Sequence, residues 1–294
     1  MDFDFIQVVG YLILGIIQGL AEVFPISSSA HLAMLGDVLE RTLGFKGFGF
    51  EAAVFLHIGT FTSIILFYQR DVIRLWQALV SSVILGMLLA IRSRSVRVII
   101  TPSDTDAKLA MNMVASLFVT AIVGLSFQKL ANGVFYDTSA MAGLLVVNGL
   151  IILVVAQFAP GKKRMEDIQR QDYLLIGLAQ GIAVFPGISR FGMTLCAALW
   201  RGLSWYQALK LSFLLSLPTV VGATLVEGVR YLERSYQVDL LGLVLGTVVS
   251  GVVCYYSIRW LLAHSLHNKH KLAYFGVYCI VVGAYASVYF GFLY

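Results

Sequence analysis

The chain has 294 residues, of which 59% are hydrophobic and only 13% charged, and its mean hydropathy is +0.84. A soluble domain carries about 45–50% apolar and about 25% charged residues, so this composition excludes a soluble globule and indicates an all-α polytopic membrane protein. The formal net charge of +5 is no sign of nucleic acid, because the basic residues stand mostly in short loops beside apolar stretches, where they set orientation in a membrane.

The opening Met1-Asp-Phe-Asp-Phe has neither the basic start nor the small-residue cleavage site of a signal peptide, and the N-terminus is expected to be retained. Residues 5–23 are apolar but stop at Pro25, and 30–40 form a short second stretch before Gly44-Phe-Lys-Gly47-Phe-Gly49. Pro25 removes a backbone donor where lipid offers no replacement. Two half-length helices meeting at a Pro/Ser tip, a re-entrant hairpin, are therefore expected rather than one span. Residues 52–68 read as the first span. The segment 75–91 is long enough for another, and loop Lys and Arg divide between the two sides in the same proportion whether or not it crosses. Spans at 108–127 and 139–159 follow, then a second hairpin at 173–185 and 190–202 around Pro186-Gly187, then spans at 205–226, 239–262 and 272–293. With three spans between the hairpins, the two enter from opposite faces and their tips meet near the midplane; a fourth span would put both on one face. Inverted repeats with facing broken helices are a recurring plan, so 75–91 is placed at the membrane interface, inside an extended loop 71–107. The expected organisation is one membrane domain, 1–294, of two inverted-topology repeats, about 1–160 and about 170–294, each a re-entrant helix pair plus three transmembrane helices. Cys196, Cys254 and Cys279 lie in apolar segments without metal-ligand spacing and read as packing residues.

Each hairpin tip carries one version of a shared motif. The first reads Gln18-Gly-Leu-Ala-Glu22-Val-Phe-Pro25-Ile-Ser27-Ser28-Ser29-Ala-His31, the second Gln180-Gly-Ile-Ala-Val-Phe-Pro186-Gly187-Ile-Ser189-Arg190-Phe-Gly-Met-Thr194. The second half-helix of each tip presents free N–H groups and its positive dipole end, a ready anion site. Ser27, Ser28, Ser29 and Ser189 add hydroxyl donors, or only cap helices. Arg190 matches phosphate oxygens two at a time, or only neutralises Glu22. Gln18 and Glu22 stand one helical turn apart on a shared face and can offer oxygens to Mg²⁺ or Ca²⁺. Glu22 can alternatively act as a base, or sit as a protonated acid against a carbonyl. His31, across the bend from Glu22, reads as a proton donor, a nucleophile or a satisfied core residue. His57 is open between a functional and a packing role. His264, His267 and His270 lie in a basic loop and are expected to be solvated.

At these residues the chain resembles the undecaprenyl-diphosphate phosphatase family, integral membrane enzymes associated with bacitracin resistance. The first family signature, Glu or Gln, three residues, then Glu, followed by Pro-x-Ser-Ser and a His, is met by Gln18, Glu22, Pro25, Ser27, Ser28 and His31. The second, Pro-Gly-x-Ser-Arg with a Thr beyond it, is met by Pro186, Gly187, Ser189, Arg190 and Thr194. Weaker similarity runs through Leu56-His57-Ile-Gly59-Thr60 and Ser212-Phe-Leu-Leu-Ser-Leu-Pro218, so the resemblance covers most of the chain. It implies the inverted-repeat fold and hydrolysis of a polyprenyl diphosphate to the monophosphate and inorganic phosphate, which recycles the lipid carrier for envelope polymers. The site would open to the periplasmic or outer face of the bacterial inner membrane. Glu22, Ser28, His31 and Arg190 would be the catalytic core. Gln18 would assist with metal beside Glu22, and Ser27, Ser29, Gly187, Ser189 and Thr194 would hold the substrate. A divalent cation and no organic cofactor are expected. The partners are the prenyl lipid and the membrane, and a homodimer is compatible with the sequence.

The chain departs from the family pattern around the site. Ala30 stands where many members have Gly, Phe191 where a small polar residue is usual, Trp205 where Arg is common and Lys210 where an acid is common. Glu51 falls about two residues too early for the acid expected before His57. These changes bear on the substrate more than on the chemistry. Two rivals are a prenyl-phosphate transporter with the same anion site and a diverged lipid-phosphate phosphatase. The Glu22/His31 pair favours an enzyme, since carrying an anion needs no general acid or base.

Overall fold

The structure, a computed structural model, describes residues 5–46, 49–90, 104–135, 137–158, 161–232, 239–264 and 269–292. Those residues form eleven helices, and one isolated backbone bridge joins Lys163 to Leu203. In order they are α1 (Phe5–Ala21), α2 (Ser28–Leu43), α3 (Phe50–Phe67), α4 (Gln69–Ala90), α5 (Asp104–Phe135), α6 (Thr138–Ala156), α7 (Arg170–Ile182), α8 (Arg190–Trp200), α9 (Trp205–Leu232), α10 (Leu240–His264) and α11 (Lys269–Gly291). By length and composition α5, α6, α10 and α11 are each able to cross a membrane, and α3 and α4 pass the same test as a pair bent by 85°. The chain is a multi-pass membrane protein. Helices α7 and α8, of 13 and 11 residues, are each too short to cross about 30 Å of hydrocarbon.

Helix pairing in hydrocarbon depends on close backbone approach, which small residues permit. A Cβ at Gly15 of α1 would strike the Gly246 backbone of α10, one at Gly59 of α3 would strike Thr247 of the same helix, one at Gly149 of α6 would strike Gly276 of α11, and one at Gly177 of α7 would strike Ser116 of α5. Hydroxyls add cross-helix bonds: Ser250 Oγ donates to Leu56 O at 2.7 Å, Ser63 Oγ to Gly251 O at 2.6 Å, and Thr120 Oγ1 to Gly177 O at 3.0 Å. Thus α10 carries α1 and α3, α5 carries α7, and α11 carries α6.

Within the segment 71–107, expected as an extended loop with an apolar interfacial segment, residues 71–90 are helical and helix resumes at 104, with 91–103 outside the described residues. Ion pairs tie the start of α4 to distant segments. Lys210 Nζ of α9 donates to Asp71 Oδ1 at 2.6 Å in the first turn of α4, where an acid also suits the helix dipole. Arg74 lies 3.6 Å from Asp71 and 3.4 Å from Asp106 of α5. Lys210, one of the departures from the family pattern, thereby has its counter-charge on α4.

Candidate active site

The first tip joins α1 to α2 through a turn that ends at Ser27, whose φ is 65°. A side chain in this region costs about 1–3 kcal/mol and persists only where its surroundings hold it. Two bonds do so: His31 Nδ1 lies 2.9 Å from Ser27 O, and the Ser27 and Ser29 hydroxyls are 3.1 Å apart. Among the described residues the N-cap Ser27 makes no side-chain cap bond to α2, which leaves first-turn N–H groups available to an anion.

The second tip turns at Gly187, with φ 105°, where a Cβ would collide with Met141 O of α6. Ser189 caps α8 by accepting from Gly192 N at 2.9 Å. One side chain links the two tips. Asn148 of α6, 1% exposed, donates from Nδ2 to Pro25 O at 3.0 Å and accepts from Ser189 N at 3.0 Å. A weaker bond runs from Gly187 N to Ser29 Oγ at 3.4 Å. Asn148→Ala leaves Ser189 N without its acceptor, at about 1–3 kcal/mol, and leaves Pro25 O with only the weak Cys279 thiol as donor. Its thermal unfolding midpoint in detergent is expected to fall clearly below wild type, and an unchanged midpoint would refute the bridging role.

Between the tips lies a cavity of about 550 Å³ whose lining includes Glu22, Ser27, Ser28, Ser29, His57, Gln180, Ser189 and Arg190. Glu22, 9% exposed, is its centre of interaction. Its Oε2 accepts from Gln18 Nε2 at 3.1 Å and from Ser28 Oγ at 3.1 Å, and His57 Nε2 lies 3.4 Å away. His57 Nδ1 stands 2.6 Å from Ala53 O, which only accepts, so Nδ1 carries a hydrogen. Among the described residues Arg190 makes no ion pair within 4.0 Å and its Nη1 is buried without a hydrogen-bond partner, so that donor is free to meet an anion in the cavity it shares with Glu22. The arrangement places a hydroxyl on a carboxylate and an unpaired guanidinium around one space, which suits nucleophilic attack on a phosphate.

The residues also bear on a cation. Among the described residues no group of three or more His, Cys, Asp or Glu could hold a metal by itself. Glu22 turns a carboxylate to the cavity, and Gln18 behind it has an Oε1 without a partner among the described residues, so Glu22 and, with its amide turned over, Gln18 could offer oxygens to a hard divalent ion.

Of the residues expected at the site, Glu22, Ser27, Ser28, Ser29, Ser189 and Arg190 are brought to the cavity, and Gln18 stands behind Glu22. His31 is not. It stacks on Tyr278 of α11 with ring centroids 5.6 Å apart, its Nε2 lies 2.9 Å from Tyr278 Oη, and it lines a separate groove. With Nδ1 donating to Ser27 O and Nε2 accepting from the phenol, a neutral His31 is fully satisfied. Thr194 turns its hydroxyl back onto Arg190 O and Phe191 O, both at 3.0 Å. Gly187 serves the turn. Phe191 is buried against Phe213 at 4.6 Å between centroids while it also borders the cavity. Asn148 escaped notice in the sequence, although a lone Asn in an apolar span is a signal. His57 gave the same signal; Tyr278, among many lipid-facing tyrosines, gave none.

A multi-pass helical protein with a carboxylate, hydroxyls and an unpaired guanidinium around one buried cavity is, as a class, a membrane protein that handles an anionic group at membrane depth. Residues 11–285 match the family described as Bacitracin resistance protein BacA, and the chain belongs to that family. It is similar to the undecaprenyl-diphosphatase of Geotalea daltonii, 35% identical over 282 residues that cover 95% of this chain and 97% of the relative. It is also similar to undecaprenyl-diphosphatase 2 of Halalkalibacterium halodurans, 31% identical over 287 residues, 97% of this chain and 96% of the relative. The undecaprenyl-diphosphatase of Renibacterium salmoninarum is 33% identical over 284 residues, 95% of each chain.

Proposed function

We propose that this protein hydrolyses undecaprenyl diphosphate to undecaprenyl phosphate and inorganic phosphate, the substrate that its relatives' names carry. The observation that carries the reading is the Ser28–Glu22 hydrogen bond in the same cavity as the unpaired Arg190. The diphosphate is held by Arg190, the serine hydroxyls and the uncapped first turn of α2. Ser28 gives its proton to Glu22 as Oγ attacks the terminal phosphorus, and the bond from that phosphorus to the bridging oxygen breaks. Glu22 passes the proton to the departing undecaprenyl phosphate. Water then attacks the phosphoserine, gives a proton to Glu22 and releases inorganic phosphate, and that proton returns to Ser28 Oγ. Arg190 stabilises the charge that gathers on the transferring group. Glu22 and Gln18 would hold a divalent cation, Mg²⁺ or Ca²⁺, which when bound neutralises diphosphate charge. His31 acts through Ser27, fixing the strained turn, and His57 acts through Glu22.

The same reading takes the chain as two inverted repeats in the bacterial inner membrane, with the cavity reached from the periplasmic or outer face. It draws support from the shared form of the tips, each with a proline followed by the serine that precedes its second helix, and with a positive φ at Ser27 itself in the first and at Gly187 in the second. Purified protein in detergent is expected to release phosphate from undecaprenyl diphosphate with added Mg²⁺ or Ca²⁺, and to lose that release on chelation. Ser28→Ala is expected to lower it at least about a hundred-fold. Folded wild-type protein that releases none would overturn the reading and favour transport of the lipid phosphate.

A further inference from the structure

The cavity is larger than a diphosphate needs, and its excess runs along α5. Leu117, Ala121, Gly124, Leu125, Gln128 and Ala131 all line it, a stripe of one helix face over about 21 Å at 1.5 Å rise per residue. The other wall is the α9 stretch that includes Pro218, Val220 and Gly222. Helix α5 packs along α7 and only lightly on α9. Leu125 is 67% exposed, so the slot opens on its flank toward hydrocarbon.

Gly124 separates this slot from ordinary packing. A mid-helix glycine costs about 1 kcal/mol relative to alanine, and Gly15, Gly149 and Gly177 offset that by letting another backbone approach. Gly124 does not: among the described residues nothing lies within 4 Å of a Cβ built there. The space beside it is open cavity.

We infer that the slot between α5 and α9 seats the prenyl chain of the substrate, and that Gly124 sets how much room the chain has there. This inference rests on the diphosphatase reading. The occupant follows from continuity: Arg190, Ser28 and Glu22 line the same cavity as the α5 stripe, which is apolar at Leu117, Ala121, Gly124, Leu125 and Ala131 and polar only at Thr120 and Gln128, the pattern of a charged head on a hydrocarbon tail. A bulky side chain at Gly124 takes up the room of the chain without touching Glu22, Ser28 or Arg190.

The test compares kcat/KM for undecaprenyl diphosphate with that for dimethylallyl diphosphate, which has a single prenyl unit, in Gly124→Ala, Gly124→Leu and Gly124→Phe. The ratio is expected to fall with side-chain volume, at least ten-fold in Gly124→Phe, and to stay within two-fold of wild type in Ile122→Phe, a lipid-facing site on the same helix. An unchanged ratio in Gly124→Phe, or an equal fall in Ile122→Phe, would overturn the inference. A second readout needs no turnover: undecaprenyl diphosphate is expected to slow maleimide labelling of Gly124→Cys at least five-fold, and dimethylallyl diphosphate to leave it unchanged. Equal labelling with both would likewise overturn the slot, whereas protection without hydrolysis by wild type would keep the slot and sink the diphosphatase reading.

Discussion

Glu22→Gln is expected to lower phosphate release from undecaprenyl diphosphate by about a thousand-fold, within the range that a lost general base costs. Glutamine keeps the size of the side chain and can still meet Gln18 and Ser28, so the tip is expected to hold its shape and the thermal midpoint to stay near wild type. What disappears is the negative charge that receives the Ser28 proton and that would bind a cation. The effect should fall on kcat rather than KM, because the carboxylate acts on Ser28 more than on the resting diphosphate. His57 gives an internal comparison. His57→Gln keeps an N–H able to face Glu22 Oε2, now 3.4 Å from the imidazole, and should keep most activity, whereas His57→Leu should lose about ten-fold or more. A Glu22→Gln enzyme with near wild-type kcat would remove Glu22 from the chemistry.

Arg190→Ala is the second large expected loss, about a hundred- to a thousand-fold in kcat/KM, measured by the same phosphate release. A guanidinium at this depth is costly to bury, and Arg190 has no carboxylate within ion-pair distance among the described residues and an Nη1 without a partner. Glu22 across the same cavity offsets part of that cost, and an anionic ligand on Nη1 supplies the missing partner. Arg190→Lys restores the charge without the planar fork and should recover only part of the loss. Full recovery by lysine would show that a point charge suffices and that bidentate binding plays no part. Unchanged activity in Arg190→Ala would place the diphosphate elsewhere.

The positions of the helices were legible because lipid makes backbone breaks conspicuous. Pro25 and Pro186 could not lie inside a span without cost, and the helices on either side end at Ala21 and Ile182 and resume at Ser28 and Arg190. Helix α4 was harder, since its first turn is paired with Lys210, a residue far away in the chain that no local pattern links to Asp71. The site was legible in its residue types and less so in their directions. Spacing put His31 and Glu22 on either side of one bend, but the sense of the turn is set by Ser27 at φ 65°, and that rotation carries His31 to α11 instead of the cavity. No serine announces a left-handed backbone in sequence. His57 and Asn148 were visible only as isolated polar residues in apolar runs, and their partners, Glu22 and the two tips, come from other helices.

The contacts of α11 bear on how the protein is made. Tyr278 meets His31 at 2.9 Å, and Cys279 Sγ lies 3.7 Å from Pro25 O, so the first tip is braced by the last of the described helices. A nascent chain that has emerged only as far as α10 holds Glu22, Ser28, His57 and Arg190, yet lacks the brace on the turn that aims Ser28. Competence would then be acquired late in biogenesis, after α11 has joined the bundle, and truncated products of stalled ribosomes that lack it would be silent rather than unregulated hydrolases.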